Sequence, residues 1–465
     1  MTNIRAKGRF HIIYTLKYIR YGLILCLVPM IQALFLWDFD SLYSALRQDA
    51  IILTVMGVLS LCIWNQVGFV LTPQTLTLRY GLLFLKQTTI STNEVAALIL
   101  ERPLIFRLMG CTRVKLYATS SASFGKAQCY LSRRQAAVLA ECILPVETES
   151  SFFAPSGTER IRFTMLSANL ITTSALVYIS VQQTEKILGR NIFNELNQLA
   201  ISNLEKVEQL AEFFLPAGVA WLFTLLFLLW GIALFFSLLS TANFRVSRSG
   251  GVILSKGGCI NHSERRVLAS AVSYCDIRIT PASRILRRYP VFLCAGSYLS
   301  DFPILVYRKG YEALLQALMP QFTPPKPLGG ITAERSWPQF LWKSGSLFLL
   351  CSALTAVSVW RLPNLTLVLI IPLFMSIVLV LVSIEAWFTE GICRNDNRTL
   401  SVSYTKLFTR HNLCIFTSDI SFSTLQTPFA ENIARCNFTL HLPCRKRILI
   451  RSIKLYQAQR LKLTL

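Results

Sequence analysis

The sequence predicts a membrane protein of mixed class: six transmembrane helices in three pairs, each pair followed by a small antiparallel β block with a C-terminal helix. Three observations carry this. Six apolar stretches, at 21–37 with 50–71, 163–182 with 216–240, and 344–360 with 362–384, are each close to the ~20 residues that a helix rising ~1.5 Å per residue needs to cross hydrocarbon. A basic, strand-rich block of roughly 80 residues follows each pair. The apolar residues, 53% of the chain, are concentrated in the stretches and the charged ones, only 15%, in the blocks, which excludes an ordinary soluble composition with its ~25% charge.

The chain therefore divides into an N-terminal segment with the first pair (1–71), a first β block (72–150) and a second pair (160–240). The second pair encloses a helical, extracytoplasmic link (183–215). A second block (241–322), a third pair (338–384) and a third block (385–465) complete it. At the start, Arg5, Lys7, Arg9, Lys17 and Arg20 form a basic flank before the first span, and no small-residue cleavage site follows, so no cleavable signal peptide is expected.

Charge sets the topology. The three short links within the pairs hold eight of the 24 acids but only five of the 47 Lys and Arg residues. Cytoplasmic loops carry the excess of Lys and Arg, so both termini and all three blocks are expected inside a bacterial inner membrane. None of the 13 cysteines falls in an outside link, which fits a reduced compartment and not a disulfide framework.

In the first block, strands are expected at 75–80, 85–90, 95–100 and 113–119. Leu76, Leu78 and Tyr80 alternate with Thr75, Thr77 and Arg79, so that one face is buried and the other wet. A helix closes the block at 133–143, with Ser132 and Gln135 at capping-box spacing. Comparable helices fit 311–319 in the second block and 453–461 in the third. The third block repeats the first strand: Thr75-Leu76-Thr77-Leu78-Arg79-Tyr80 before Leu83-Phe84 matches Thr399-Leu400-Ser401-Val402-Ser403-Tyr404 before Leu407-Phe408. In the middle block Phe244 to Ser247 matches Phe69 to Thr72, Gly257-Gly258 falls near the place of Gly81, and Pro103, Pro281 and Pro428 punctuate the three blocks at similar depth.

Two spans, an alternating strand, the turn Tyr80-Gly81-Leu82-Leu83, a Pro-containing segment ending Arg107-Leu108-Met109-Gly110 and a strand ending Tyr117-Ala118-Thr119 resemble the bacterial pleckstrin-homology-like (PH-like) membrane module. Three such units in one chain resemble the YdbT-like family. The resemblance covers the whole chain through its architecture; the second block departs most, with Arg287-Arg288-Tyr289-Pro290 where the first has Arg107 to Gly110. It implies a partly open seven-stranded barrel capped by a helix in each block, no catalytic residue, and smaller single-unit PH-like membrane proteins as candidate partners.

The most suggestive chemistry is basic. Arg107, Arg113 and Lys115 in the first block, Arg284, Arg287 and Arg288 in the second, and Arg445, Lys446 and Arg447 in the third are the candidate contacts for an anionic leaflet or partner, each Lys or Arg near lipid contributing about 1 kcal/mol. Positive charge also follows simply from lying inside, so three readings stand: topology alone, non-specific lipid docking, and a discrete headgroup or peptide pocket. Base-reading and RNA-stacking motifs are absent, which speaks against nucleic acid. Cys436, His441 and Cys444 lack a fourth ligand at zinc spacing; His11, His262 and His411 are solitary; the glycine pairs lack the Lys-Ser or Lys-Thr of a phosphate loop. No catalytic, metal or cofactor site is expected. The sequence points to a non-enzymatic membrane scaffold or binding protein, with envelope maintenance and stress or antimicrobial resistance as its setting. The alternative is a transporter or transporter accessory subunit, drawn from the mid-span polar residues Gln32, Asn65, Gln66 and Asn169.

Overall fold

The computed structural model describes residues 5–16, 19, 39–81, 86–119, 126–146, 150–155, 157–167, 230–307, 316, 318–319, 337–361, 366–396, 399–406, 408–416, 420–426, 428–443, 446–456 and 458–459. The expected first span at 21–37, the link at 183–215, most of the spans at 163–182 and 216–240, and most of the helix at 311–319 lie outside these residues. Three described helices, Phe39–Gln66, Trp337–Arg361 and Thr366–Thr389, include stretches long and apolar enough to cross a membrane, and Trp230–Ser240 is a shorter apolar helix.

The first β segment consists of β1 (Ala6–Arg9), β2 (Gly68–Leu71), β3 (Thr75–Tyr80) and β4 (Lys86–Ser91), then β5 (Val95–Pro103), β6 (Cys111–Ala118) and β7 (Lys126–Ser132), closed by the helix Arg133–Ile143. The alternation of β3 does what period 2 requires: Leu76 and Leu78 are fully buried, while Arg79 is exposed. Ser132 and Gln135 form the capping box in both directions, so the terminal helix starts where its sequence specifies. Two features differ from the sequence reading. The apolar run at 50–71 does not end as helix, because the helix stops at Gln66 and Gly68–Leu71 is β2. The basic start is also a strand: Ala6–Arg9 pairs antiparallel with β2, from Ala6 opposite Leu71 to Arg9 opposite Gly68. Gly68 permits that approach, since a Cβ there would lie 2.9 Å from the Gly8 carbonyl oxygen. The block expected at 72–150 thus takes its first two strands from before that boundary, and the link expected at 38–49 is helical from Phe39.

The second segment has β8 (Ser150–Phe153), β9 (Arg245–Ser249), β10 (Val252–Gly257), β11 (Asn261–Leu268), β12 (Val272–Ile279), β13 (Tyr289–Ala295), β14 (Tyr298–Leu299) and β15 (Leu305–Tyr307). The third has β16 (Gly391–Asp396), β17 (Thr399–Lys406), β18 (Thr409–Phe416), β19 (Ser421–Leu425), β20 (Arg435–Leu442) and β21 (Lys446–Lys454). A short helix follows the fifth strand of the first segment (Leu104–Leu108), β12 (Pro281–Leu286) and β19 (Pro428–Glu431), at the three prolines marked in the sequence. The expected helix at 453–461 is displaced, because β21 continues to Lys454.

The sequence reading treats the blocks as separate barrels, but the described sheets cross between them. One seven-stranded sheet runs β7-β6-β5-β11-β10-β9-β8 and another runs β14-β13-β12-β18-β17-β16, with β15 as its seventh strand on β13; a four-stranded sheet β1-β2-β3-β4 and a three-stranded sheet β19-β20-β21 complete the set. Two antiparallel seams, β5 with β11 and β12 with β18, therefore join the segments through backbone hydrogen bonds. The cores are shared accordingly. Leu98 and Leu100 of β5 enter the first core, whereas Ala97 and Ile99, on its other face, enter the second with Val267 and Val291. In β12, Cys275 and Ile277 face the second core and Tyr274 the third.

A turn reinforces the first seam. The Gly296 backbone has φ +54°, and a Cβ there would lie 2.2 Å from the Ala118 carbonyl oxygen; next to it, Ser297 donates its N–H to that oxygen at 2.8 Å. The Tyr117 and Tyr298 rings meet alongside at 5.1 Å. Gly296→Ala is expected to destabilise the junction by more than the ~1 kcal/mol that a left-handed backbone alone costs a non-glycine residue. Gly250→Ala is the control, with the same φ of +54° and no atom within 4 Å of the added Cβ. Comparing the two variants by thermal unfolding in detergent isolates the steric contribution, and equal losses would refute it.

Candidate functional site

The nine basic candidates separate once placed. Arg113 and Lys115, on β6, both pair with Glu101 of β5. Burial pushes the Glu101 carboxyl upward, but the hydrogen bond from Lys115 and the positive charges of Arg113 and Lys115 outweigh it and hold the group below the usual range. Arg284 pairs with Glu385, on the apolar helix Thr366–Thr389, and Arg288 lies 3.4 Å from Glu159. Arg107 is exposed and donates to the Cys259 carbonyl oxygen. Lys446 is drawn inward to Asp276. Arg287 and Arg447 are exposed and make no ion pair among the described residues, and Arg445 lies outside them. Five of the nine charges thus meet an acid of this same chain, so the single basic surface that the sequence suggests is not what the structure assembles.

Some of these residues share another setting. On the short helix Leu104–Leu108, Arg107 sits among Leu104, Ile105 and Leu108, which are 50%, 61% and 81% exposed. On the helix Pro281–Leu286, Arg284 and the helix-ending Arg287 flank Ile285, which is 82% exposed. Thr280 and Ser283 make a full capping box and Pro281 presets the first turn, so this tip is built, and Arg287 closes it in the left-handed conformation at φ 51°. Bare aliphatic side chains beside guanidinium groups are the composition of a surface that meets a lipid interface.

The second seam holds a buried ionic cluster that the sequence reading missed. Asp276 of β12 is 1% exposed. Its carboxylate takes His411 Nδ1 of β18 at 3.0 and 3.1 Å, Arg278 Nε at 3.2 Å, and Lys446 Nζ of β21 at 3.6 Å. The Tyr404 ring stacks on His411, centroids 4.7 Å apart and planes within 4°, and Arg278 lies 3.5 Å over the Phe292 ring. Burial pushes the Asp276 carboxyl up; His411, Lys446 and Arg278 together reverse this and hold it below the usual value. Lys446 is depressed by its own burial, which the Asp276 charge opposes. One carboxylate from the second segment thereby meets His411 and Lys446 of the third, which ties the two segments across the seam. The signal was a lone acid in the otherwise uncharged stretch Val272-Ser273-Tyr274-Cys275-Asp276-Ile277. Of the other residues weighed, Cys436 is buried in the third core, His441 faces Ser423 at 3.2 Å, and His11 caps the turn Ile12–Thr15. Cys444 lies outside the described residues.

An open cleft of about 460 Å³ lies beside β4, lined by Tyr80, Lys86, Thr88, Lys126, Ala127 and Gln128. The Tyr80 hydroxyl donates to the Gln128 carbonyl oxygen at 2.9 Å, which ties β3 to β7 at its edge.

The segment that carries this cleft has a family match. Residues 22–146 match the family model of the bacterial PH domain. The match begins within the first apolar stretch and ends just after the helix Arg133–Ile143, so the PH segment includes β2 to β7. No curated protein and no solved structure matches the chain. A bacterial PH domain suggests a binding or scaffold role, and the β sheets of the chain are consistent with PH-like domains.

Asp276→Ala is expected to cost about 3 kcal/mol, at the low end for a broken buried pair because Lys446 and Arg278 can turn to water. Since the folded Asp276 value is depressed, its contribution is complete above the ordinary value of 3.8 and is lost as pH falls through the lower folded value. Limited proteolysis of the second seam between pH 7 and 3 reads this out: the wild type loosens at the acid end, whereas Asp276→Asn is already loose at neutral pH and changes less.

Proposed function

We propose that the chain is a non-enzymatic membrane scaffold, in which three PH-like units, hung from three pairs of spans, form one β array on the cytoplasmic face of a bacterial inner membrane. The observation that carries this reading is the pair of strand seams. They make the segments a single platform, while the charged side chains serve mainly to brace it. The bracing reaches the apolar helices: Arg284 pairs with Glu385, and Arg451 reaches Glu390 at 2.8 Å while lying 4.9 Å over the Phe340 ring. The bare tips around Leu108 and Ile285 then face the leaflet, with Arg107 and Arg287 at headgroup depth. The expected setting in envelope maintenance or stress resistance, and a smaller single-unit PH-like partner, are consistent with a platform of this kind.

Two measurements test the reading. A reporter active only in the cytoplasm should work when fused after Leu144 or Leu465 and fail at Asn197; activity at Asn197 without activity at Leu144 would overturn the topology. For the tips, Ile285→Trp in the reconstituted full chain should be quenched by lipids brominated near the headgroup. A tryptophan that only aqueous quenchers reach would remove the leaflet contact.

A further inference from the structure

The first two tips are built alike. Arg107 is the fourth residue of the helix Leu104–Leu108 and Arg284 the fourth of Pro281–Leu286, and the exposed Leu108 and Ile285 are each the fifth. Each tip also reaches the apolar helix that feeds the next segment. Arg284 does so directly, through Glu385 of Thr366–Thr389. Arg107 does so through a turn: it donates to the Cys259 carbonyl oxygen, and the Cys259 N–H donates at 2.9 Å to the Leu239 carbonyl oxygen, near the end of Trp230–Ser240.

The tips differ in charge. Trp230–Ser240 contains no acid, and none follows before Arg245, so the carboxylate that neutralises Arg284 has no counterpart on the helix that Arg107 reaches. In the third tip, Pro428–Glu431, the fourth residue is itself an acid, Glu431. Two more arginines lie around the first tip. Arg102, next to the Pro103 cap, donates from Nε to the Thr112 hydroxyl at 3.1 Å. The Arg133 N–H donates to the Gly110 carbonyl oxygen at 3.1 Å, directly after the tip, and its side chain is exposed. Burial and the Arg133 charge push the Arg102 guanidinium below its ordinary range; Glu264 opposes this, but its carboxylate is already paired with Arg266 at 2.8 Å. Arg102, Arg107 and Arg133 make no ion pair among the described residues.

We infer that Arg102, Arg107 and Arg133 bind the phosphate of an anionic phospholipid in the leaflet that the first tip touches, while the second tip, neutralised by Glu385, takes lipid without regard to its charge. The inference rests on the leaflet contact proposed for both tips and adds a headgroup to one of them. Guanidinium groups fit phosphate oxygens as forks. An anionic headgroup is the occupant because a zwitterionic one carries its own cation beside the phosphate and leaves the three charges unmatched. A lipid also brings acyl chains, which cover Leu104, Ile105, Leu108 and the neighbouring Ile260, itself 41% exposed. A soluble anion would leave these side chains bare.

The test uses the full chain in nanodiscs made from equal amounts of phosphatidylglycerol and phosphatidylcholine. A photoreactive benzoylphenylalanine replaces Leu108 in one sample and Ile285 in another, and mass spectrometry identifies the lipids that each captures. Phosphatidylglycerol should exceed phosphatidylcholine by at least about fivefold at position 108 and be close to equal at position 285. Arg102→Gln with Arg133→Gln should bring the ratio at 108 to near one. Glu385→Gln, which frees Arg284, should raise the ratio at 285, and this gain is read in a chain whose first segment is untouched. Equal ratios at the two positions of the otherwise native chain, enrichment at 108 that the arginine pair leaves intact, or a ratio at 285 that Glu385→Gln does not move would each overturn the inference. Lipid captured at 108 without preference refutes only the phosphate site, whereas capture of no lipid at either position removes the leaflet contact itself.

Discussion

The structure depends on the hydrogen bonding of two strands, β5 and β12. Each sits in the middle of a sheet with a partner on both sides, and each buries side chains on both faces. A backbone N–H or C=O buried without a partner costs about as much as a lost hydrogen bond, so neither strand tolerates separation from the neighbouring segment. A row of independent domains on tethers would leave such edges to water. Here the chain covers them with itself, and the three cores interlock as a result: Val252 of the second segment joins the first core, and Cys414 of the third joins the second.

The acids are few, and where they are placed explains what much of the positive charge does. Glu101 takes two cations on its own sheet, Asp276 meets Arg278, Lys446 and the His411 ring around the second seam, and Glu385 and Glu390 hold arginines of the β segments at the C-terminal end of the apolar helix Thr366–Thr389. Glu264 pairs with Arg266 at 2.8 Å, and that arginine also donates to the Leu144 carbonyl oxygen across the first seam. A large positive excess thus coexists with few bare cations at the sites first suspected. The pairs belong to the architecture.

How much of this was legible in the sequence follows from what sequence patterns encode. Alternation in Thr75 to Tyr80 gave β3 to the residue, and Ser132 with Gln135 gave the helix start, because both signals are local. The seams are long-range, yet they left a trace. Val95-Ala96-Ala97-Leu98-Ile99-Leu100 does not alternate, and an uninterrupted apolar strand is one buried on both faces. The same holds for β12, where the single Asp276 then stands out as a charge with no wet face to occupy. The basic candidates were misjudged for the complementary reason. Arg113 and Lys115 meet Glu101 from the neighbouring strand, Lys446 meets Asp276 from another sheet, and composition alone cannot pair them. The strand Ala6–Arg9 was hidden because a basic flank before an apolar run has an obvious topological reading, which masks a second role.

The Arg284 to Glu385 contact links levels that chain order keeps apart. Arg284 belongs to the second β segment, whereas Glu385 ends the helix that feeds the third. Sequence adjacency would let each segment move with the apolar helix that precedes it, but this diagonal strut couples the second segment to the helix before the third. With the β12–β18 seam it closes a loop of strand, strut and helix. A force that pulls the helices Trp337–Arg361 and Thr366–Thr389 away from the second segment is therefore shared between the strut and the β12–β18 ladder. The β array resembles a truss, and its stiffness comes from the same bonds that fold it.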